Sequence, residues 1–189
     1  MHAISVFTLL SLLIITTTGC GTSANDEEEI FLNHMTYRGN TYAIAQLLIV
    51  DYTANNPDPN GARADDIGLN FVTPGLVFNP KTRCWDGEGD GLTLSINQLG
   101  SELISQMTYP FAESSDEAGV LHTAVAIFGE VGDGECNTEY GEAVLAETAS
   151  LTVREFDDQQ IDVVFTMTES LNNTLTMQYR GPVTVVSGY

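Results

Sequence analysis

The feature that most constrains this chain is strict alternation of apolar and polar residues. Ile161, Val163, Phe165 and Met167 point one way, and Leu175, Met177 and Tyr179 repeat the pattern after the turn Leu171-Asn172-Asn173. Alternation sends successive side chains to opposite faces, so such a segment buries one face only as a β-strand. The pattern recurs at Ile67/Leu69/Phe71, Leu92/Leu94/Ile96, Thr123/Val125/Ile127 and Ala149/Leu151/Val153. Met35 to Tyr37, Arg38-Gly39-Asn40 and Thr41 to Tyr52 read as a hairpin entering a long strand. Between strands lie Ala54 to Asp66, Glu113 to Gly119, Gly129 to Gly141 and Asp157 to Gln160, each with turn-forming residues. With about one turn per ten residues and no long helical stripe, the expectation is an all-β domain of about eight to ten antiparallel strands. A β-sandwich is the chosen architecture; a closed or partly open β-barrel is the alternative that patterning leaves open.

Charge narrows the partners. The chain carries 26 Asp and Glu against 6 Lys and Arg, a formal net charge of −20, and Lys81 is its only lysine. No basic stripe exists to neutralise phosphates or an anionic lipid surface, which argues against nucleic acid and against electrostatic membrane docking. None of the acids lies in the first 25 residues. The exported surface is thus strongly acidic, similar to proteins that meet high salt.

The N-terminus supplies an address. Val6 to Ile15 is an apolar stretch broken only by Thr8 and Ser11. It is too short to span a bilayer and fits the apolar region of a secretory signal. Thr17-Thr18-Gly19-Cys20 resembles the lipobox of bacterial lipoproteins, which implies a signal over residues 1–19 and lipidation at Cys20. Residues 20–30 form an acidic tether, with Asp26 to Glu29 self-repelling and free of apolar groups. Residues 31–189 form the single β-domain. Gly21 after the cysteine resembles lipoproteins passed on to the outer membrane, and the acidic tether resembles surface-export signals.

Cysteine parity follows. Three cysteines leave one unpaired in an oxidising compartment. Assigning Cys20 to lipid leaves Cys84 and Cys136 as a disulfide pair. Closing a loop of that length contributes about 4 kcal/mol in the chain-entropy model.

Chemistry is sparse. Asp86-Gly87-Glu88-Gly89-Asp90-Gly91 places carboxylates at alternate positions and resembles the first half of a calcium-binding loop. A disulfide would bring Asp133 and Glu135 beside Asp86, Glu88 and Asp90, and calcium would relieve their repulsion. The competing reading is two solvated acidic turns. Trp85, the only tryptophan, either packs on the disulfide or stacks on a sugar ring. His34 and His122 are the only histidines beyond the signal, and no nucleophile elbow, zinc-protease helix or phosphate-binding glycine loop occurs.

Tyr37-Arg38-Gly39-Asn40-Thr41-Tyr42, Leu92-Thr93-Leu94-Ser95 and Tyr179-Arg180-Gly181-Pro182-Val183 together resemble small Bacteroidota-type envelope lipoproteins with one antiparallel β-domain. The resemblance implies a fold and a place in the cell envelope rather than an activity. The leading expectation is a monomeric, non-enzymatic envelope lipoprotein, anchored by lipid and acting in binding or in envelope assembly, with a glycan or an envelope protein as its candidate partner. The alternatives are a carbohydrate-binding or carbohydrate-processing accessory, and a secreted hydrolase using a carboxylate pair.

Overall fold

The computed structural model describes residues 33–52, 66–97, 103–112, 117–157 and 159–187. Among them no helix occurs and thirteen strands do, more than the sequence pattern counts. The signal, Cys20 and the tether lie outside the described residues, as does the loop after Tyr52 up to residue 65.

The chain opens with β1 (His34–Tyr37) and β2 (Asn40–Ala43). They are joined by the two-residue turn Arg38-Gly39, with Tyr37 opposite Asn40. Both turn residues have positive φ, 49° and 79°, the conformation that matches the right-handed twist of the flanking strands. The long strand expected from Thr41 to Tyr52 breaks at Ile44-Ala45. There the backbone bonds Ile44 N to Asn33 O (2.8 Å) and Ala45 N to Val72 O (2.8 Å), and the chain passes from one layer to the other.

The second layer is built by β3 (Gln46–Asp51), β4 (Asp66–Val72), β6 (Cys84–Asn97), β8 (Leu121–Asp133) and β10 (Glu142–Leu145), each antiparallel to the next. Two short strands extend it: β5 (Leu76–Asn79) on β6 and β9 (Thr138–Glu139) on β8. The first layer contains β1, β2, β7 (Thr108–Pro110), β11 (Thr148–Phe156), β12 (Gln160–Thr168) and the first part of β13 (Thr174–Ser187).

The layers share β13. Residues Thr174 to Pro182 pair antiparallel with β12, and Val183 to Ser187 pair parallel with β3. That parallel contact corrects the purely antiparallel expectation: the chain reaches β3 through the continuation of a strand, so no crossover helix is required. The sheet is mixed, mostly antiparallel and not closed into a barrel.

The alternating apolar residues face inward as the pattern requires in most strands; β8 is the exception. There Ala124 and Ala126 enter the core, because small residues fit where β8 packs close to it. Thr123, Val125 and Ile127, the face expected inward, lie on the other side and are only half-buried. Leu69, Phe71, Leu92 and Leu94 from one layer and Leu151, Val163, Leu175 and Tyr179 from the other are at most 1% exposed and belong to one cluster. Burying a side chain of this size contributes about 1.5–3 kcal/mol. Phe71 meets Tyr179 edge-on across the layers at 5.7 Å between centroids. The Tyr179 hydroxyl donates to the Pro182 carbonyl at 2.6 Å, bracing the point where β13 leaves one layer for the other.

Tyr179→Phe removes the hydroxyl that donates to the Pro182 carbonyl and leaves the buried ring in place. It should destabilise the domain by about 1 kcal/mol in urea unfolding. Tyr140→Phe, on a residue 58% exposed, should change stability little. Equal effects of the two variants would show that the Tyr179 hydroxyl does not brace the bend.

Candidate functional site

The acidic segments read as loops are strands. Asp86 to Gly91 lies inside β6, and β8 runs on to Asp133, so the two strands pair beyond the core as an arm. Glycine and acids are depleted in strands, which is why the sequence reads as a loop. Gly87 explains how the strand forms: its φ is 98°, and a Cβ there would run into the Gly75 carbonyl oxygen. The close approach requires glycine. A register irregularity between Gly89 and Gly91 then bends the arm away from the regular ladder.

The arm ends at the cysteine pair. Cys84 and Cys136 have Cα atoms 4.9 Å apart, within the range a disulfide spans, and 52 residues apart in sequence. Cys84 is buried and Cys136 exposed. Trp85, beside Cys84, is half-buried and packs edge-on against its cross-strand partner Phe78 at 5.5 Å. The tryptophan thus fills a strand-surface pair with Phe78, where the expected packing partner was the disulfide.

The five carboxylates proposed for calcium do not converge, because strand geometry holds them in extended rows instead of around a loop. Among the described residues, no group of three or more His, Cys, Asp or Glu side chains is arranged to hold a metal ion. Asp86 sits opposite Asp133, and Glu88 opposite Val131. Asp133 is occupied by its own turn: Oδ1 accepts from the Glu135 and Asn137 amides (2.8 and 3.2 Å), and Oδ2 from Asn137 Nδ2 (2.6 Å). The Asn137 side-chain bond, followed by the Glu135 amide, holds this carboxyl below the usual carboxylate range. Asp90 Oδ1 accepts from the Gly129 amide at 3.0 Å. Two of the five acids therefore terminate backbone donors, and Glu135 is exposed.

His34 lies on β1 and His122 on β8, strands that do not pair. His122 Nδ1 lies 3.2 Å from Thr123 Oγ1.

A different polar cluster, which the sequence pattern does not nominate, joins the layers. Glu169, only 7% exposed, accepts the Tyr37 hydroxyl (2.8 Å), Arg38 Nη2 (3.1 Å) and Asn173 Nδ2 on one oxygen. Arg38 Nη1 reaches Glu142 of β10 at 2.8 Å. The guanidinium carbon also lies 4.7 Å from the Tyr37 ring centroid, and that ring stacks on Phe128 of β8 at 5.2 Å. Four segments distant in sequence meet here: the β1–β2 turn, β8, β10 and the β12–β13 turn.

The electrostatics of this clasp are static. Bonds from Asn173 and Tyr37 hold the Glu169 carboxyl down at about 2, while burial and then Glu169 push the Tyr37 hydroxyl up to about 12. The Glu169 bond also raises the Arg38 guanidinium. A proton carrier works best with a pKa near the working pH, and these groups are pushed away from neutrality in opposite directions. The cluster holds layers together instead of moving protons. Its one sequence signal is Arg38 itself, because the first position of such a turn favours Asn or Asp and an Arg there is held in a sparsely populated conformation.

Acid should open the clasp. An unfolded glutamate titrates near about 4.3. The depressed Glu169 therefore contributes stability above that range and loses it as pH falls toward about 2. Urea unfolding between pH 6 and roughly pH 2.5 should show this loss, and Glu169→Gln should be less stable at pH 6 with a flatter acid limb. An acid limb of unchanged steepness in the variant would remove Glu169 from this role.

Comparison with known protein families, curated proteins and solved structures finds no match for this chain.

Proposed function

We propose that the chain is an exported, lipid-anchored envelope protein whose β-domain is a non-catalytic binding or structural module. The observation that carries this reading is the pairing of Cys84 with Cys136. It leaves Cys20 as the one cysteine outside that pair, directly after the apolar stretch and the small residues Thr17-Thr18-Gly19. Lipid on Cys20 would tether the domain through residues 21–30, which include the acidic run Asp26 to Glu29. One acyl chain binds a bilayer only marginally, so stable anchoring calls for more than one.

The domain suits that setting. The arm is stapled at its far end by the cysteine pair, and the Glu169 clasp ties the two layers at another point. A module held at both places presents a fixed surface.

The test is metabolic labelling of the full chain with an alkyne fatty acid, followed by membrane fractionation. The wild type should carry label and sediment with outer membranes, and Cys20→Ala should lose both. Label that persists in Cys20→Ala, or an unlabelled wild type, would overturn the anchor.

A further inference from the structure

An open cleft of about 370 Å³ lies at the end of the β11–β12 hairpin, on the opposite strands from the acidic arm. Gln106, Glu155, Phe156, Gln160, Asp162 and Arg180 line it. We propose that this cleft binds one residue of a neutral sugar, placing carbohydrate recognition here and not at Trp85. The proposal rests on the binding half of the reading above and is independent of the lipid anchor.

The local build supports a shaped site. β11 is irregular between Val153 and Glu155, so Arg154 and Glu155 together oppose Asp162. Such a bulge re-aims side chains and often borders binding sites. Asp162 in turn sits opposite Arg180 on β13, giving a row of alternating charge across three strands. Arg180 Nη2 is 3.6 Å from Glu155, and Arg154 Nη1 is 3.9 Å from Asp162 Oδ1. At 3.9 Å that ion pair is too long for a hydrogen bond, and Asp162 Oδ1, shielded from solvent beside Arg154, is left without a hydrogen-bond donor. An acceptor in that condition costs free energy until a donor reaches it. Asp157 Oδ1 accepts the Gln159 and Gln160 amides at 2.8 Å each, which fixes the backbone that carries the Gln160 side chain.

The ligand class follows from the donor and acceptor inventory. The carboxylates of Glu155 and Asp162 only accept, the Arg180 guanidinium only donates, and the two glutamine amides do both. An ammonium ligand would satisfy the carboxylates while facing Arg180 with like charge. An anion would meet Glu155 and Asp162 on a protein that already carries −20. Hydroxyl groups donate and accept, so a row of them matches every lining group at once. Phe156, half-buried at the rim of the core, offers an apolar surface for the C–H face of a sugar ring.

The test uses the purified full chain in detergent, titrated with neutral methyl glycosides, with glucuronate and with putrescine, followed by saturation-transfer NMR. At least one neutral glycoside should bind saturably with a dissociation constant on the order of 1 mM. Asp162→Ala and Gln160→Ala should each weaken that binding about tenfold or more. Trp85→Ala should leave it unchanged. If Asp162→Ala lowers the melting temperature, Gln160→Ala with normal melting carries the result alone. Tighter binding of putrescine or glucuronate, loss of binding in Trp85→Ala alone, or no saturable binding of any neutral glycoside would each overturn the proposal. Lipid labelling is read separately, so failure of the anchor leaves this outcome intact.

Discussion

The fold depends on one strand belonging to two layers. β13 is hydrogen-bonded to β12 and β1 along its first part and to β3 along its last five residues. Neither layer can then complete its ladder without the other, because the same backbone supplies both. Tyr179 makes this junction a packed one: its ring meets Phe71 of the other layer, and its hydroxyl holds the carbonyl of Pro182 at the bend. Proline suits that position because it pairs with Gln160, the first residue of β12, and Val183 N then turns to Gln159 O.

Alternation made most of this legible. Wherever one face is buried and the other wetter, as in β11, β12 and the first part of β13, residue order alone assigns the inward side chains. The parallel β13–β3 contact was not legible, since Val183 to Val186 reads only as an apolar run and names no partner. Glycine and acid disguised the arm: Asp86 to Gly91 lacks every usual strand former, and close backbone approaches at Gly87 and Gly132 let it pair. The clasp was hidden by distance, as Tyr37 and Glu169 are 132 residues apart and each sits at an ordinary-looking turn. The cysteine pair was legible because parity is a counting argument and requires no geometry.

The acidic surface takes on structure at the same points. Among the described residues, the ion pairs place Arg38 between Glu142 and Glu169, Arg154 beside Asp162, and Arg180 beside Glu155. The scarce cations thus stand where carboxylates are crowded or buried. A buried carboxylate left alone is costly, and Glu169 escapes that cost through three donors on one oxygen. The exposed pairs contribute little individually, on the order of 0–1 kcal/mol each, and more to orientation than to stability.

Native-state hydrogen exchange tests the shared-strand account most directly. If β13 couples the layers, amides of Leu47 to Val50 on β3 and of Val163 to Phe165 on β12 should exchange through one common opening. Their opening free energies should coincide and fall together as urea is added. Protection of the β12 amides that persists after β3 has opened would show two independently unfolding layers, and would contradict the account.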